Sequence, residues 1–230
     1  MSETPTLAWL FDDGETGLQD GQVRTYDGRL TGNYPESLKA SVRVLDALHY
    51  ASSPKIYRVL CENGVVNRED GGAPQILYRK RTILWSVDAL PPLMAFARQT
   101  SEDAARPWSF GVHLRALIRT GFRYRQYFWE SRFCAGLCQE DLLWLETTIL
   151  HWRESGAGFY HAAHYLRLLA SHAASAEANR SFACMRRFED ANEMSRRAAA
   201  IQGSLLRSAE EVFQNEVLCT LIQKQRKRAA

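Results

Sequence analysis

The chain has 230 residues, 46% of them hydrophobic and 24% charged, and carries a formal net charge of +3. That length can bury one sizeable core, or one core plus a small appended subdomain, and that composition excludes wholesale disorder. The charge is unevenly placed: residues 1–78 hold 7 Lys+Arg against 11 Asp+Glu, a net of −4, and residues 79–230 hold 22 against 15, a net of +7.

Of the 29 basic residues, 24 are Arg, a bias that a GC-rich genome gives without any function. The same bias suits phosphate, because guanidinium makes bidentate contacts that ammonium does not. The opening Met-Ser-Glu-Thr-Pro-Thr has no basic stretch followed by an apolar run, so no secretory signal is expected. No stretch approaches the ~18–20 apolar residues of a membrane-spanning helix. Five cysteines, odd in number and scattered, give no disulfide framework. The expectation is a reduced, cytoplasmic protein with no membrane segment.

In chain order, Asp-Gly pairs at Asp13-Gly14, Asp20-Gly21 and Asp27-Gly28 are spaced seven apart. They are hairpin-turn signals, since both central residues of a type I′ turn need positive φ. With Trp9-Leu10-Phe11 and Gln22-Val23-Arg24-Thr25-Tyr26 as short strands, they predict a small β-meander over about 6–34. The acidic Asp12-Asp13-Gly14-Glu15 lacks the spaced ligands of a calcium loop. Leu38, Val42, Leu45 and Leu48 recur at helical spacing and predict a first helix. Ser53-Pro54 followed by Ile56, Val59 and Leu60, closed by Gly64, predicts a second.

This pair, Ala47-Leu48-His49-Tyr50-Ala51 through Val59-Leu60-Cys61-Glu62-Asn63-Gly64 to Val66-Asn67, resembles a shortened ankyrin repeat over some twenty residues. No second copy follows, and a lone repeat cannot bury its faces, so the segment is read as two packed helices. The resemblance would imply protein binding.

Ile76-Leu77-Tyr78 and Thr82-Ile83-Leu84-Trp85-Ser86-Val87 are β-prone and flank Arg79-Lys80-Arg81, as two strands with a basic turn or one strand with a basic bulge. Pro91-Pro92 opens a helix through about Arg98. The polar 100–107 stretch is the candidate boundary between a mixed α/β subdomain, 1–100, and a helical bundle, 108–230. A helix is expected over 109–121. The segment 122–129 fits a strand, while Trp129, Phe133 and Leu137 fit a helix face. Glu140-Asp141 opens a helix that runs through Leu142, Leu145, Ile149 and Trp152 to Gly156. Helices follow over 159–173, 176–201 and 209–226, the last started by Ser208 and Glu210-Glu211. The fold class is therefore α+β, predominantly helical: a small N-terminal β-meander, then a C-terminal helical bundle.

Chemistry is sparse. Cys134 and Cys138, with His161 and His164, would each face one way on helices, but the spacing matches no zinc pattern. The cysteines are read as small apolar residues and the histidines as a half-exposed face, with no metal and no cofactor. There is no Gly-rich phosphate loop, nucleophile elbow or His-Glu-x-x-His helix. The carboxylate pairs Asp12-Asp13, Glu102-Asp103 and Glu140-Asp141 belong to solvated turns and a helix start. An enzyme is the third reading, with Cys134, His161 and His164 as its only nameable site.

Residues 119–133, Arg-Thr-Gly-Phe-Arg-Tyr-Arg-Gln-Tyr-Phe-Trp-Glu-Ser-Arg-Phe, interleave guanidinium and aromatic groups more densely than any other stretch. Arg119, Arg123, Arg125 and Arg132 suit phosphate, and Tyr124, Tyr127 and Trp129 suit stacking on unpaired bases. The same residues also fit a core with snorkelling Arg. The tail adds Lys224, Arg226, Lys227 and Arg228, which fit phosphate or simply a favoured helix C-terminus. Arg186-Arg187 and Arg196-Arg197 lie about 80° out of alignment on a helix, with Glu189, Asp190 and Glu193 between them. The first functional reading is an accessory protein or complex subunit contacting RNA or single-stranded DNA; the alternative is a helical adaptor or scaffold that binds another protein.

Overall fold

A computed structural model describes residues 4–11, 18–28, 30, 38–67, 73–106, 125–185 and 193–229, with side chains in all of these except 125–128, 181–185 and 193–203. The α+β, predominantly helical class holds. Among the described residues, seven strands form two antiparallel sheets, and helices follow. The larger sheet has the order β1 (Thr6–Phe11), β4 (Lys55–Glu62), β7 (Lys80–Asp88), β2 (Val23–Thr25). The smaller has β3 (Leu38–Ala40), β6 (Gln75–Tyr78), β5 (Val65–Asn67). A bridge between Trp9 and Ser41 ties one sheet to the other.

These strands pair out of chain order: β1 lies against β4, and β2 against β7. The turn at Asp20-Gly21 closes with the Gln22 N–H on the Gln19 carbonyl, and only Gly21 has positive φ, so it is not a type I′ hairpin turn. Asp12 to Gly14 lie outside the described residues.

The two helices expected over 38–64 are not there, and the ankyrin-like pair goes with them. Leu38 begins β3, Val42 is exposed, and only α1 (Val44–Ala47) and one 3-10 turn (Leu48–Tyr50) are helical. Ile56, Val59 and Leu60 belong to β4. This central strand is covered on both faces, so apolar residues crowd it without the clean alternation of a half-buried strand. Gly64 turns the chain from β4 into β5, where a Cβ would stand 2.7 Å from the Ile76 Cγ2. Both β-prone runs at 76–78 and 82–87 are strands, but β6 and β7 lie in different sheets. Arg81, expected in a basic turn or bulge, points inward from β7 at 2% exposure.

Alternation along the larger sheet sorts its side chains. Trp9, Phe11, Ile56, Trp85 and Val87 face the helices, while Ala8, Leu10, Tyr57, Val59 and Ile83 face the smaller sheet. The register slips at β7, where Trp85 opposes Arg58 and Ile83 opposes Val59. Leu84 is the extra residue of this bulge, which is why Ile83 and Trp85, two apart, face opposite ways.

Asp88 Oδ1 accepts the Leu90 N–H at 2.9 Å and starts α2 (Leu90–Ala105), whose first turn holds the expected prolines. The 100–107 stretch is helix through Ala105, with Thr100, Ser101 and Ala104 buried. The expected 109–121 helix lies outside the described residues. From Arg125 the chain is helical, α3 (Arg125–Ser155), which settles the 122–129 ambiguity for its last five residues. It does not start at Glu140. Gly156, at φ +69, ends α3 by placing its N–H on the Trp152 carbonyl at 2.7 Å. Then come α4 (Phe159–Met185) and α5 (Glu193–Ala229). No break falls at 174–175, where Ala173, Ala174 and Ala176 are all buried. Ser208 is mid-helix, because its capping pattern is weaker than the packing that carries α5 through it. The main core takes side chains from the sheet, α1, α2, α3, α4 and α5 together. No helix among the described residues is long and apolar enough to cross a membrane.

Candidate functional site

Of the residues proposed for nucleic acid, Arg119, Arg123 and Tyr124 lie outside the described residues. Arg125 and Tyr127 are in the first turn of α3, their side chains undescribed. Trp129 and Arg132 are exposed on the next turns. Lys224, Lys227 and Arg228 are exposed at the end of α5. Arg226 is exposed as well, and its guanidinium sits 4.8 Å over the Trp85 ring. Trp85 in turn meets Trp9 edge-on at 5.7 Å, and Arg58 covers Trp9 at 4.2 Å. This ladder fastens the end of α5 to the larger sheet.

The described residues of the two basic groups are not brought together. Trp129 is two residues from Ser131, whose hydroxyl donates to the Ala176 carbonyl far along α4. Helix α3 meets the core shared with Trp85 at Leu142, Leu145, Ile149 and Trp152. At 1.5 Å per residue, that is about 20–35 Å of helix between the Trp129 end and the sheet end.

Helix α3 holds an apolar surplus. Its inner side buries Ser131, Cys138, Asp141, Leu145 and Ile149. On the opposite side Trp129 is 55% exposed, Phe133 67%, Leu143 64%, Trp144 55% and Leu150 58%. At 100° per residue these five fall within about 60° of Trp129 to either side, one stripe down the helix. Trp129, Phe133 and Leu137 fit a helix face, as one of the two expected alternatives; the first two are among the most exposed large side chains of the described residues, and Cys138 takes the core position. Taking about 200 Å² for an aromatic side chain, the stripe exposes on the order of 500 Å² of apolar surface.

The Cys and His residues form no common site. Cys134 and Cys138 pack with Ala104, Ala173 and Ala176. Burial, then Asp141, pushes the Cys138 thiol up to about 12. With Cys138 at 0% exposure, that excludes it as a nucleophile. His161 and His164 are exposed beside Tyr160 and Tyr165. Among the described residues no group of three His, Cys, Asp or Glu is placed to hold a metal ion. Asp141, expected to open a helix, is buried mid-helix and joins His172 Nδ1 at 2.7 Å. It orients an imidazole, but the adjacent thiol is out of reach of any substrate.

A cleft of about 690 Å³ lies between α2, α4 and α5. Its polar lining includes Asp103, Arg106, Glu177, Arg180, Glu210 and Gln214. Arg180 donates to the carbonyls of Asp103 at 2.8 Å and Arg106 at 3.2 Å and pairs with Glu177, capping the end of α2. Arg106 pairs with Asp103 at 2.8 Å. Burial, then Glu177, raises the Glu210 carboxyl above its ordinary value, while the Gln214 side chain hydrogen-bonds it and lowers it in part. Sequence reading missed this site, since its residues come from three helices up to about a hundred positions apart. Asp103 and Glu210 had been assigned to a turn and a helix start.

No protein-family model, no curated protein and no solved structure matches this chain.

Proposed function

We propose that this protein is a helical adaptor, a complex subunit that docks another protein on the outer face of α3. The observation that carries the reading is the stripe Trp129, Phe133, Leu143, Trp144 and Leu150, more than half exposed on a helix whose other side is already committed to the core. Patches of this size on single chains mark interaction sites, and aromatic side chains anchor protein interfaces. A cytoplasmic location accompanies the reading, supported by free thiols at Cys61, Cys134, Cys138 and Cys219.

RNA or single-stranded DNA is the second reading, favoured by Trp129 and Arg132 standing exposed three residues apart on one helix. A photo-crosslinking residue at Phe133 or Leu150 in intact cells separates the two. A discrete protein adduct that Trp144→Glu abolishes supports the adaptor. An RNA adduct, or tight salt-sensitive binding of labelled single strands, overturns it in favour of nucleic acid.

A further inference from the structure

We propose that the cleft between α2, α4 and α5 binds a small organic monocation, an ammonium group carried on an aromatic body, received by Glu210 and Gln214. The site is independent of the adaptor reading, because α3 contributes nothing to its lining.

Charge comes first. Three carboxylates, Asp103, Glu177 and Glu210, face two guanidiniums, Arg106 and Arg180, which leaves one negative charge over. Arg106 pairs with Asp103, and Arg180 pairs with Glu177 and the end of α2 through its terminal nitrogens, its Nε being buried with no hydrogen-bond partner among the described residues. The uncompensated carboxylate is Glu210, which has no ion pair within 4.0 Å among the described residues. Burial, then the Glu177 carboxylate, raises its proton affinity, and the Arg180 guanidinium offsets this only in part.

Gln214 is an independent sign. It lines the cleft at 4% exposure, and its Oε1 is buried with no hydrogen-bond partner among the described residues. An unmet buried acceptor is costly, so native sites rarely keep one without a ligand or water. Glu210 and the Gln214 oxygen are both acceptors, so the complementary ligand brings N–H donors. An anion would meet the surplus carboxylate. A metal ion needs donors converging on one point, and no such group is present among the described residues.

The rest of the wall is apolar. Phe96, Ala104, Ala173 and Val217 form it, and Phe213 stands 57% exposed at its rim. An aromatic face there serves both a ring and a cation. A volume of about 690 Å³ accommodates a molecule of this kind.

The test titrates the full-length protein with three probes sharing one ring: 2-phenylethylamine, 2-phenylethanol and phenylacetate, by calorimetry at constant ionic strength. The amine should bind with a Kd of about 1 mM or tighter, and the alcohol and the acid at least about tenfold more weakly. Glu210→Gln should weaken the amine about tenfold or more and leave the alcohol unchanged. Phe213→Ala, at an exposed position that does not threaten folding, should weaken amine and alcohol alike. Equal binding of the three probes, no binding of the amine, or an unchanged amine affinity in folded Glu210→Gln each overturns the proposal.

Discussion

The larger sheet and helix α3 are both rich in bulky apolar side chains, yet the sheet hides both of its faces and the helix only one. Trp9, Phe11 and Trp85 are sealed under helices, and Leu10, Tyr57 and Ile83 under the smaller sheet. On α3, Leu145 and Ile149 are sealed in the same way, while Trp129, Phe133 and Trp144 look outward. Burying either set yields about 25 cal/mol per Å² removed from water. In the sheet that gain has been taken by folding; on α3 it is still open to a partner. An apolar residue thus speaks of stability in one region and of association in the other.

Substitutions of equal chemistry should separate the two regions. Phe96 is fully buried against the sheet, and Phe96→Ala should cost about 3–5 kcal/mol in urea unfolding. Phe133→Ala, on the outer face of α3, should stay within about 0.5 kcal/mol of the parent and act on partner binding instead. Comparable losses at both sites would mean that the outer face is part of the fold.

Two glycines sharpen the contrast at smaller scale. At Gly64 a Cβ would press on the Ile76 side chain at 2.7 Å, so Gly64→Ala should destabilise by about 1–3 kcal/mol. At Gly136, mid-way along α3, a Cβ meets nothing within 4 Å, and alanine suits a helix better. Gly136→Ala should stabilise the isolated protein by about 0.5–1 kcal/mol. If it also weakens partner capture, the partner comes close to the helix backbone there.

What the sequence made legible follows from how local each signal is. Pro91 and Pro92 start α2, Gly156 stops α3, and the β-branched run at 82–87 is a strand, each on a few neighbouring residues. Strand β4 was lost because coverage on both faces removes the alternation that identifies a strand, and Ile56, Val59 and Leu60 then mimic a helix face. Strand order was lost because β1 pairs across some fifty residues with β4. On α3 the apolar residues outnumber one face, so periodicity could not say which of Phe133 and Cys138 faces in. The cleft gave no signal, since Asp103, Arg180 and Glu210 meet only in three dimensions.

The Arg226–Trp85 contact joins α5 to the larger sheet. A double-mutant cycle of Arg226→Ala with Trp85→Leu should return a coupling of about 0.5–1 kcal/mol, read from urea midpoints. No coupling would release Arg226 to the basic tail with Lys224, Lys227 and Arg228, and would strengthen the nucleic-acid reading.

The smallest effect is a pH dependence at a second junction. His49 follows α1 in the 3-10 turn, and its Nδ1 accepts a hydrogen bond from the Arg167 guanidinium of α4. Burial, then Arg167 and His164, holds His49 below its ordinary value of 6.5. A histidine whose folded value is depressed is neutral in both states above 6.5, so its full contribution to stability is present there. Below 6.5 the unfolded chain takes the proton first, and the contribution is lost as pH falls through the folded value. Asp46 has the opposite sign. Burial raises its carboxyl, so stability drops as pH climbs from 3.8 through its folded value. The difference between parent and His49→Gln isolates the histidine, because Asp46 is common to both. That difference should shift towards the variant as pH falls below about 6.5, and should be independent of pH above about pH 7.5. A difference independent of pH would mean that the Arg167 contact holds equally well to the charged ring, and would leave this junction insensitive to protons.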